Sequence, residues 1–414
     1  MFTSLKLDSF KSFQEASLTL GPFSLLVGAN ASGKSNLRDA FRFLHGIGRG
    51  YSLADIIGER YGPGGESQWR GTRGGARELA FRKARVFGLQ VEFSIQVEGR
   101  QREVTYEIRT GLNENGDVPL IRNESLHIQG YGGPVFSTHP NTVYLSREIT
   151  TDLYLPTPKR TVEVKFHKRQ PILSQALDDL RLPKDIIRAV LDTFASMRFF
   201  DPQPESMRQP SFPGQTVIGD RGENLSSVLQ AICADPDQKQ TLVQWLRELT
   251  PMDAVDFDFP TDQIGRVLVT LIEGDRQHTT AYSASDGTLR FLGILAALLG
   301  PDPARFYFFD ELETGIHPAR LHLLLQLVEQ RVARGDVQVV ATTHSPQLLG
   351  LVSKETLEHV SLIYRREGEA SAQIRRLLDL PHAQEILSEE SLARLHASGW
   401  LEDAVEFAES VASE

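Results

Sequence analysis

The chain has 414 residues, 40% hydrophobic and 24% charged, a balance that supports one large or two average buried cores and excludes a disordered chain or mini-protein. Its 44 Lys and Arg stand against 54 Asp and Glu, a formal net charge of -10, which argues against a surface coated for nucleic acid but allows a local basic face. Cys233 is the single cysteine, so an internal disulfide, a paired-cysteine zinc site and an iron–sulfur centre are excluded and a reducing, cytoplasmic setting is expected. The opening MFTSLKLDSFKSF has neither a long apolar run nor a cleavage site, and no stretch reaches about 18 uninterrupted apolar residues, so no membrane insertion is expected.

Leu5, Leu7 and Phe10, then Phe13 and the alternating SLTL of 17–20, predict a hairpin of two short strands. Phe23 to Val27 is apolar and predicts a buried third strand, which runs straight into GANASGKS and then a helix from about Ser35 to His45. Glycine and arginine crowd 46–78, including YGPGGESQWRGTRGG at 61–75, which predicts an exposed, partly mobile excursion. Alternation returns in VFGLQVEFSIQVEGR (86–100) and VTYEIRT (104–110), an antiparallel hairpin turning near Glu98, Gly99 and Arg100. HIQG (127–130) and NTVYLS (141–146) are expected to extend that sheet.

From 171 to 250 the apolar spacing becomes helical in ILSQALDDL, KDIIRAVLDTFASM, LSSVLQAI and KQTLVQWLREL, interrupted by the prolines of QPSFPGQ at 209–215. No heptad pattern persists long enough for a coiled-coil arm. RVLVTLIEG at 266–274 is strand-like. After Tyr282 come an apolar helix over 289–299, the buried strand FYFFDE, the helix PARLHLLLQLVEQRVA and the buried strand VQVVATTHS. Strands without internal alternation, separated by helices, are what a parallel sheet covered on both faces requires. EHVSLIYRREG and SAQIRRLL predict an edge hairpin. The elements divide the chain into an N-terminal lobe over 1–170, a helical region over 171–260, a C-terminal lobe over 261–382 and a helical, acidic tail over 383–414.

Gly28-Ala29-Asn30-Ala31-Ser32-Gly33-Lys34-Ser35 follows a predicted strand and opens a helix, the context a phosphate-binding loop demands. Its glycines permit close backbone approach, and successive N–H groups with the positive helix end hold phosphate oxygens. Lys34 is placed to reach the β- and γ-phosphates and the Ser35 hydroxyl to ligate magnesium. A phosphate loop needs a second magnesium ligand and a group that activates water. Asp310, at the C-terminal end of the strand FYFF, supplies the first and Glu311 the second. The next strand ends in His344, whose neutral imidazole near the γ-phosphate would orient water and report the presence of phosphate.

With these residues in place, the chain resembles the ABC-type ATPase heads of the RecF, SMC, MutS and OLD families. The stretch FTSLKLDSFKSFQEASLTLGPFSLLVGANASGKSNLRDAFRFL is similar to the RecF-like opening, and the resemblance is strong over 1–45 and 281–349 and weak over 50–280. It implies an α/β fold, a P-loop NTPase head with a mixed parallel core sheet, an antiparallel N-terminal sheet and a helical insertion. It implies ATP and Mg2+, with Gly28, Asn30, Ala31, Ser32, Gly33, Lys34, Ser35 and Asn36 around the nucleotide and Ser35 and Asp310 on the metal. Lys34, Glu311 and His344 are the catalytic set.

The resemblance further implies that Ser283 to Thr288 is the signature loop, although the usual Ser-Gly-Gly reads Ser285-Asp286-Gly287 here. In such families this loop serves the nucleotide of the opposite subunit, so Ser285 and Gly287 point to a two-fold homodimer enclosing two ATP molecules. LETGIHP at 312–318 stands where the family has its D-loop, and His317-Pro318 reads either as a cross-interface reporter or as a helix start. Gln129, Gln170 and Gln175 are all candidates for the Q-loop glutamine. Phe10 and Phe13 either flank adenine, with Lys11 near the phosphates, or belong to the strand core.

Lengths separate the relatives. The 250 residues from 35 to 284 are too few and wrongly spaced for long arms, and the 70 residues after His344 are too few for an OLD-type nuclease domain. Two classes remain, an ATP-gated clamp that binds DNA directly and a regulatory ATPase that controls a separate effector protein. Arg38, Arg42, Arg49, Arg60, Arg70, Arg73, Arg77, Arg82 and Arg85 are either a DNA-phosphate surface or ordinary salt-bridged arginines. A transporter ATPase is a third, disfavoured class.

Overall fold

Aromatic residues set the core of the first of two compact units. Phe2, Phe10, Phe41, Phe87, Phe93 and Phe194 are all buried, and Phe93 meets Phe2 and Phe194 at ring-centroid distances of 5.4 and 5.2 Å. The computed structural model of the chain describes residues 1–63, 67–112, 119–139, 146–156, 159–249, 253–366, 368–380, 383, 387 and 392–397. The first unit comprises Met1–Gly21, Val27–Met197 and Ser361–Arg376, and the second Pro22–Leu26, Arg198–Val360 and Leu377–Glu414.

The first unit is built on an eight-stranded antiparallel sheet. Its strands, with two short ones off the sheet included in the numbering, are β1 (Phe2–Phe10), β2 (Phe13–Thr19), β6 (Val86–Val97), β7 (Arg100–Leu112), β8 (Pro119–Ile128), β9 (Pro134–Thr138), β10 (Glu148–Pro156) and β11 (Lys159–His167). They lie in the order β11-β10-β9-β8-β7-β6-β1-β2. Alternate residues of β6, Phe87, Leu89, Val91, Phe93 and Ile95, point into the core, as the period of two requires. The β6–β7 turn has Glu98 and Gly99 both at positive φ between the paired Val97 and Arg100, the two-residue hairpin whose twist suits antiparallel strands. NTVYLS lies outside the described residues except for Ser146.

Helix α1 (Lys34–Gly48) lays its apolar face, Leu37, Phe41, Phe43, Leu44 and Ile47, into this core. The glycine- and arginine-rich stretch after it corrects the expectation of an exposed excursion only in part: Arg60, Tyr61, Arg70, Arg73 and Arg77 are exposed, but Leu53, Ile56, Ile57 and Trp69 are buried. Leu53–Ile57 forms α2, capped by Ser52, and Arg60–Tyr61 (β4) pairs with Ser67–Trp69 (β5). Trp69 is 5% exposed, its ring stacks on His45 at 5.4 Å and its Nε1 donates to Ile56 O at 3.2 Å. Trp69, within the glycine-rich run, anchors this part of the segment on His45 and Arg42 of α1.

Helices α3 (Ile172–Ala176) and α4 (Lys184–Ala195) complete the unit. The N-terminus of α3 is held by Glu124 of β8, which accepts from the Ile172 and Leu173 N–H groups at 2.7 and 2.8 Å and from Tyr106 Oη at 2.9 Å. Burial pushes the Glu124 carboxyl up to about 7, against those three bonds.

The second unit contains a row of strands, β12 (Met197–Phe200), β16 (Phe306–Phe309), β17 (Gln338–Thr343) and β3 (Phe23–Val27), in that order. β16 and β17 run parallel, and every residue of both is buried, the composition of a sheet covered on both faces. Helix α8 (Asp286–Leu299) packs on this row, where Tyr307 Oη donates to Ala297 O at 2.7 Å. The helix after β16 spans Leu321–Val332. Leu225–Cys233 and Pro236–Leu249 form the expected helices of the insertion. The strand expected over 266–274 is shorter, Thr270–Glu273, within a three-stranded sheet that also holds Ala254–Asp258 and His278–Thr280. Val267 instead makes isolated bridges to Ser211 and Thr261, because the prolines around Ser211 stop a longer pairing. The late hairpin, Val360–Arg365 with Ala372–Arg376, belongs, apart from Val360, to the first unit. Of the expected tail only residues 383, 387 and the helix Leu392–Ala397 are described. Among the described residues no helix is long and apolar enough to cross a membrane.

Candidate nucleotide site

In the first unit, residues 28–33 form a tight loop between the end of β3 and Lys34, the first residue of α1. Two glycines make it possible. A Cβ on Gly28 would lie 2.1 Å from Ile363 O, and Gly33, at φ +123°, would bring one within 3.0 Å of Ser12 Oγ and 3.1 Å of the Phe13 ring. Ala31 also takes a positive φ, and Ala29, Asn30 and Ala31 are exposed at the loop tip. Asn36 Nδ2 donates to Ser12 Oγ at 2.8 Å, tying the helix start to the β1–β2 turn.

Lys34 is buried, and its Nζ donates to Gly28 O and Ala29 O. The loop thus folds around its own ammonium. Ser32 Oγ is buried with no hydrogen-bond partner, and the first turn of α1 carries no acidic residue. An orphaned hydroxyl, a glycine cradle and an unneutralised positive helix end fit a phosphate group. Phe10 and Phe13 are fully buried, so they belong to the strand core and not to an open adenine face. Lys11 is committed as well: its Nζ donates to Asp39 Oδ2 and to Arg73 O, both at 2.6 Å.

In the second unit the ends of β16 and β17 bring Asp310, Glu311 and His344 together. Thr342 Oγ1 donates to Asp310 Oδ1 at 2.8 Å and accepts the Glu311 N–H at 2.8 Å. Glu311 sits at φ 49°, a left-handed conformation a glutamate adopts at some cost, and Thr314 Oγ1 donates to its Oε2 at 3.1 Å. His344 Nδ1 is 3.6 Å from Glu311 Oε1. Half-buried Glu311 beside a half-exposed imidazole is a pair that water can reach. Thr342 and Glu313, each two residues from a singled-out position, His344 and Glu311, were not marked by the sequence.

Ser285 caps α8, its Oγ accepting the Thr288 N–H at 3.1 Å. Asp286 accepts from Arg208 Nη2 at 2.7 Å, and the same guanidinium nitrogen donates to Ala284 O at 3.0 Å, a local use for the acidic residue that stands where the resemblance implies a glycine. An acidic residue in the first turn of a helix is also favourable to the helix dipole. Gly287 is needed because a Cβ there would sit 2.5 Å from Gly315 O. His317 has the helix-start role, its Nδ1 accepting the Ala319 N–H at 3.2 Å ahead of Pro318. The Gln175 amide is held locally by His167 and Gln170.

Strand, phosphate loop and helix, followed by an Asp–Glu pair and a histidine on successive strand ends, define an ABC-type, SMC-like ATPase head, with no coiled-coil arm among the described residues. Residues 23–350 match the family model described as "AAA domain, putative AbiEii toxin, Type IV TA system", and the chain belongs to that family. Among solved structures it is similar to an SMC head bound to the C-terminal winged-helix domain of ScpA, with 13% identity, TM-score 0.52 and coverage of 90% of this chain and 97% of that one. It is also similar to the SMC head with an extended coiled coil bound to the C-terminal domain of ScpA from Pyrococcus furiosus. There the identity is 13%, the TM-score 0.50, and the coverage 94% of this chain and 98% of that one. At such identity these likenesses concern the fold. No curated protein matches the chain.

Proposed function

We propose that this chain hydrolyses ATP with Mg2+ at composite sites of a two-fold homodimer, and that it works as an ATP-gated switch or clamp in DNA maintenance or anti-phage defence. The observation that carries the hydrolytic part is the Asp310–Thr342–Glu311 arrangement beside His344, in a family member with a complete phosphate loop.

In this reading Lys34 leaves Gly28 O and Ala29 O for the β- and γ-phosphate oxygens, and the N–H groups at the start of α1 hold the same anion. Ser35 and Asp310 are the residues that would hold Mg2+, which would supply positive charge against the phosphates. Glu311 takes the proton of the attacking water, and Thr314 fixes its carboxylate. Ser285 and the N-terminus of α8 act on the nucleotide of the second protomer, so loss of the γ-phosphate weakens the dimer.

The test is the mass of Glu311→Gln by light scattering. A dimer seen only with ATP and Mg2+ supports the composite site, whereas an unchanged dimer without ATP overturns gating. Hydrolysis by Glu311→Gln at the normal rate removes Glu311 from the role of base.

A second reading is that the ATPase regulates a separate effector nuclease or toxin without touching DNA. What favours it is that several arginines of the basic stretch, although mostly exposed, already have partners within the first unit. Arg42 lies over Trp69, Arg49 and Arg60 over Tyr51, Arg82 over Phe81, and Arg73 pairs with Asp39 at 3.2 Å.

A further inference from the structure

Glu313 lies two residues beyond Glu311, and its side chain is 10% exposed. Its Oε1 accepts from Thr343 Oγ1 at 2.8 Å and from the His344 N–H at 3.2 Å. One carboxylate oxygen therefore grips the end of β17 at the two residues that aim the imidazole. The same oxygen is 3.8 Å from His344 Nδ1, and Oε2 is buried with no hydrogen-bond partner. A buried anionic oxygen left open is costly unless something answers it.

His344 Nδ1 thus has two carboxylates within reach, Glu311 Oε1 at 3.6 Å and Glu313 Oε1 at 3.8 Å. If the ring donated to Glu311, the base would be occupied by the group meant to work beside it. Donation to Glu313 leaves Glu311 free. It also fixes the neutral ring with its proton on Nδ1 and a lone pair on Nε2, able to accept a hydrogen bond from water. Both distances are longer than a hydrogen bond, the usual condition of a catalytic contact before substrate arrives.

We propose that Glu313 is the positioning residue for His344: it accepts Nδ1–H, sets the tautomer, and keeps the imidazole from capturing Glu311. The inference rests on the hydrolytic reading above and adds to it a residue that acts through His344 and not on the nucleotide.

Glu313→Gln is the decisive variant because it keeps volume and a carbonyl oxygen for Thr343 and the His344 N–H but removes the anion that favours a proton on Nδ1. Two measurements are made. In nucleotide-free protein, long-range 1H–15N spectra of the imidazole are expected to show His344 protonated on Nδ1 in the wild type and shifted toward Nε2 in Glu313→Gln. In steady-state ATP hydrolysis, Glu313→Gln is expected to lose about 10- to 100-fold in kcat with KM for ATP within about twofold, as loss of an orienting group does. Combined with His344→Ala, it is expected to add nothing, because both changes break one unit. An unchanged tautomer, or losses that multiply in the double variant, overturns the proposal. Absence of hydrolysis by the wild-type protein overturns the hydrolytic reading instead, and the tautomer comparison then still decides whether Glu313 holds His344.

Discussion

Thr342 Oγ1 donates to Asp310 Oδ1 at 2.8 Å, and the same hydroxyl accepts the N–H of Glu311 at 2.8 Å. One fully buried threonine on β17 therefore holds both acidic residues that follow β16, Asp310 through its side chain and Glu311 through its backbone. Thr342→Val keeps the shape and removes both bonds, leaving the strained Glu311 backbone without its anchor. The expected outcome is a loss of about 10- to 100-fold in kcat for ATP, with Thr342→Ser close to wild type. Steady-state hydrolysis across a Mg2+ titration checks it; equal rates in Val and Ser variants would remove Thr342 from the site.

Lys34 and Gly28 separate binding from folding. Lys34→Ala removes the ammonium that the loop is wrapped around and is expected to weaken nucleotide binding by at least about 100-fold, with little change in melting temperature. Gly28→Ala places a methyl carbon 2.1 Å from Ile363 O, a backbone atom, and is expected to destabilise the fold by about 1–3 kcal/mol. Fluorescent-nucleotide titration and thermal unfolding on both variants show whether the two effects separate.

The phosphate loop, Asp310, Glu311 and His344 were legible in the sequence because each lies within a few residues of a strand end that hydrophobic run length marks on its own. The pieces that escaped depend on partners far along the chain. Glu124 reads as one more polar residue of a strand until Ile172 and Leu173, 48 and 49 positions on, arrive above it. Asp286 reads only as a departure from the glycine that the resemblance implies until Arg208, 78 positions earlier, pairs with it. Composition at 46–78 read the exposure of Arg60, Arg70, Arg73 and Arg77 correctly and misled only over Leu53, Ile56, Ile57 and Trp69, the few apolar residues that pack.

Trp69 is the residue that makes that stretch structural. It is 5% exposed, stacks on His45, and has Arg42 5.6 Å above its ring. Trp69→Ala is expected to cost about 3–5 kcal/mol, the range for a large buried aromatic. Trp69→Phe keeps most of the packing but leaves Ile56 O unanswered, for about 1 kcal/mol. Chemical denaturation of the two variants, together with proteolysis of 46–78, distinguishes a packed segment from an accessible one.

Exposed Arg70, Arg73 and Arg77 decide between clamp and effector control. If they meet DNA phosphates, binding should weaken steeply with salt, and neutralising all three should lower the slope of log affinity against log salt by about 2–3. Filter binding at several salt concentrations reads this out. An unaltered slope, or no DNA binding at all, favours the partner-regulating ATPase.

Glu124 makes stability depend on pH in an unusual direction. Its carboxyl titrates at about 7 in the folded protein against 4.5 for the free side chain, chiefly through burial. Between those values the folded chain holds a proton that the unfolded chain has released, so stability from this group is complete below about 4.5 and is lost as pH rises through about 7. The difference of 7 − 4.5, or 2.5 units, corresponds to about 3 kcal/mol. Glu124→Gln does not titrate, and its amide NH2 must face a backbone N–H, so the variant is expected to be less stable at every pH. The deciding quantity is the gap between wild type and variant, which should shrink by about 3 kcal/mol from pH 4.5 to pH 8. A gap that stays constant over that range would mean that Glu124 keeps the same protonation state in folded and unfolded chains, and that its hold on α3 is independent of pH.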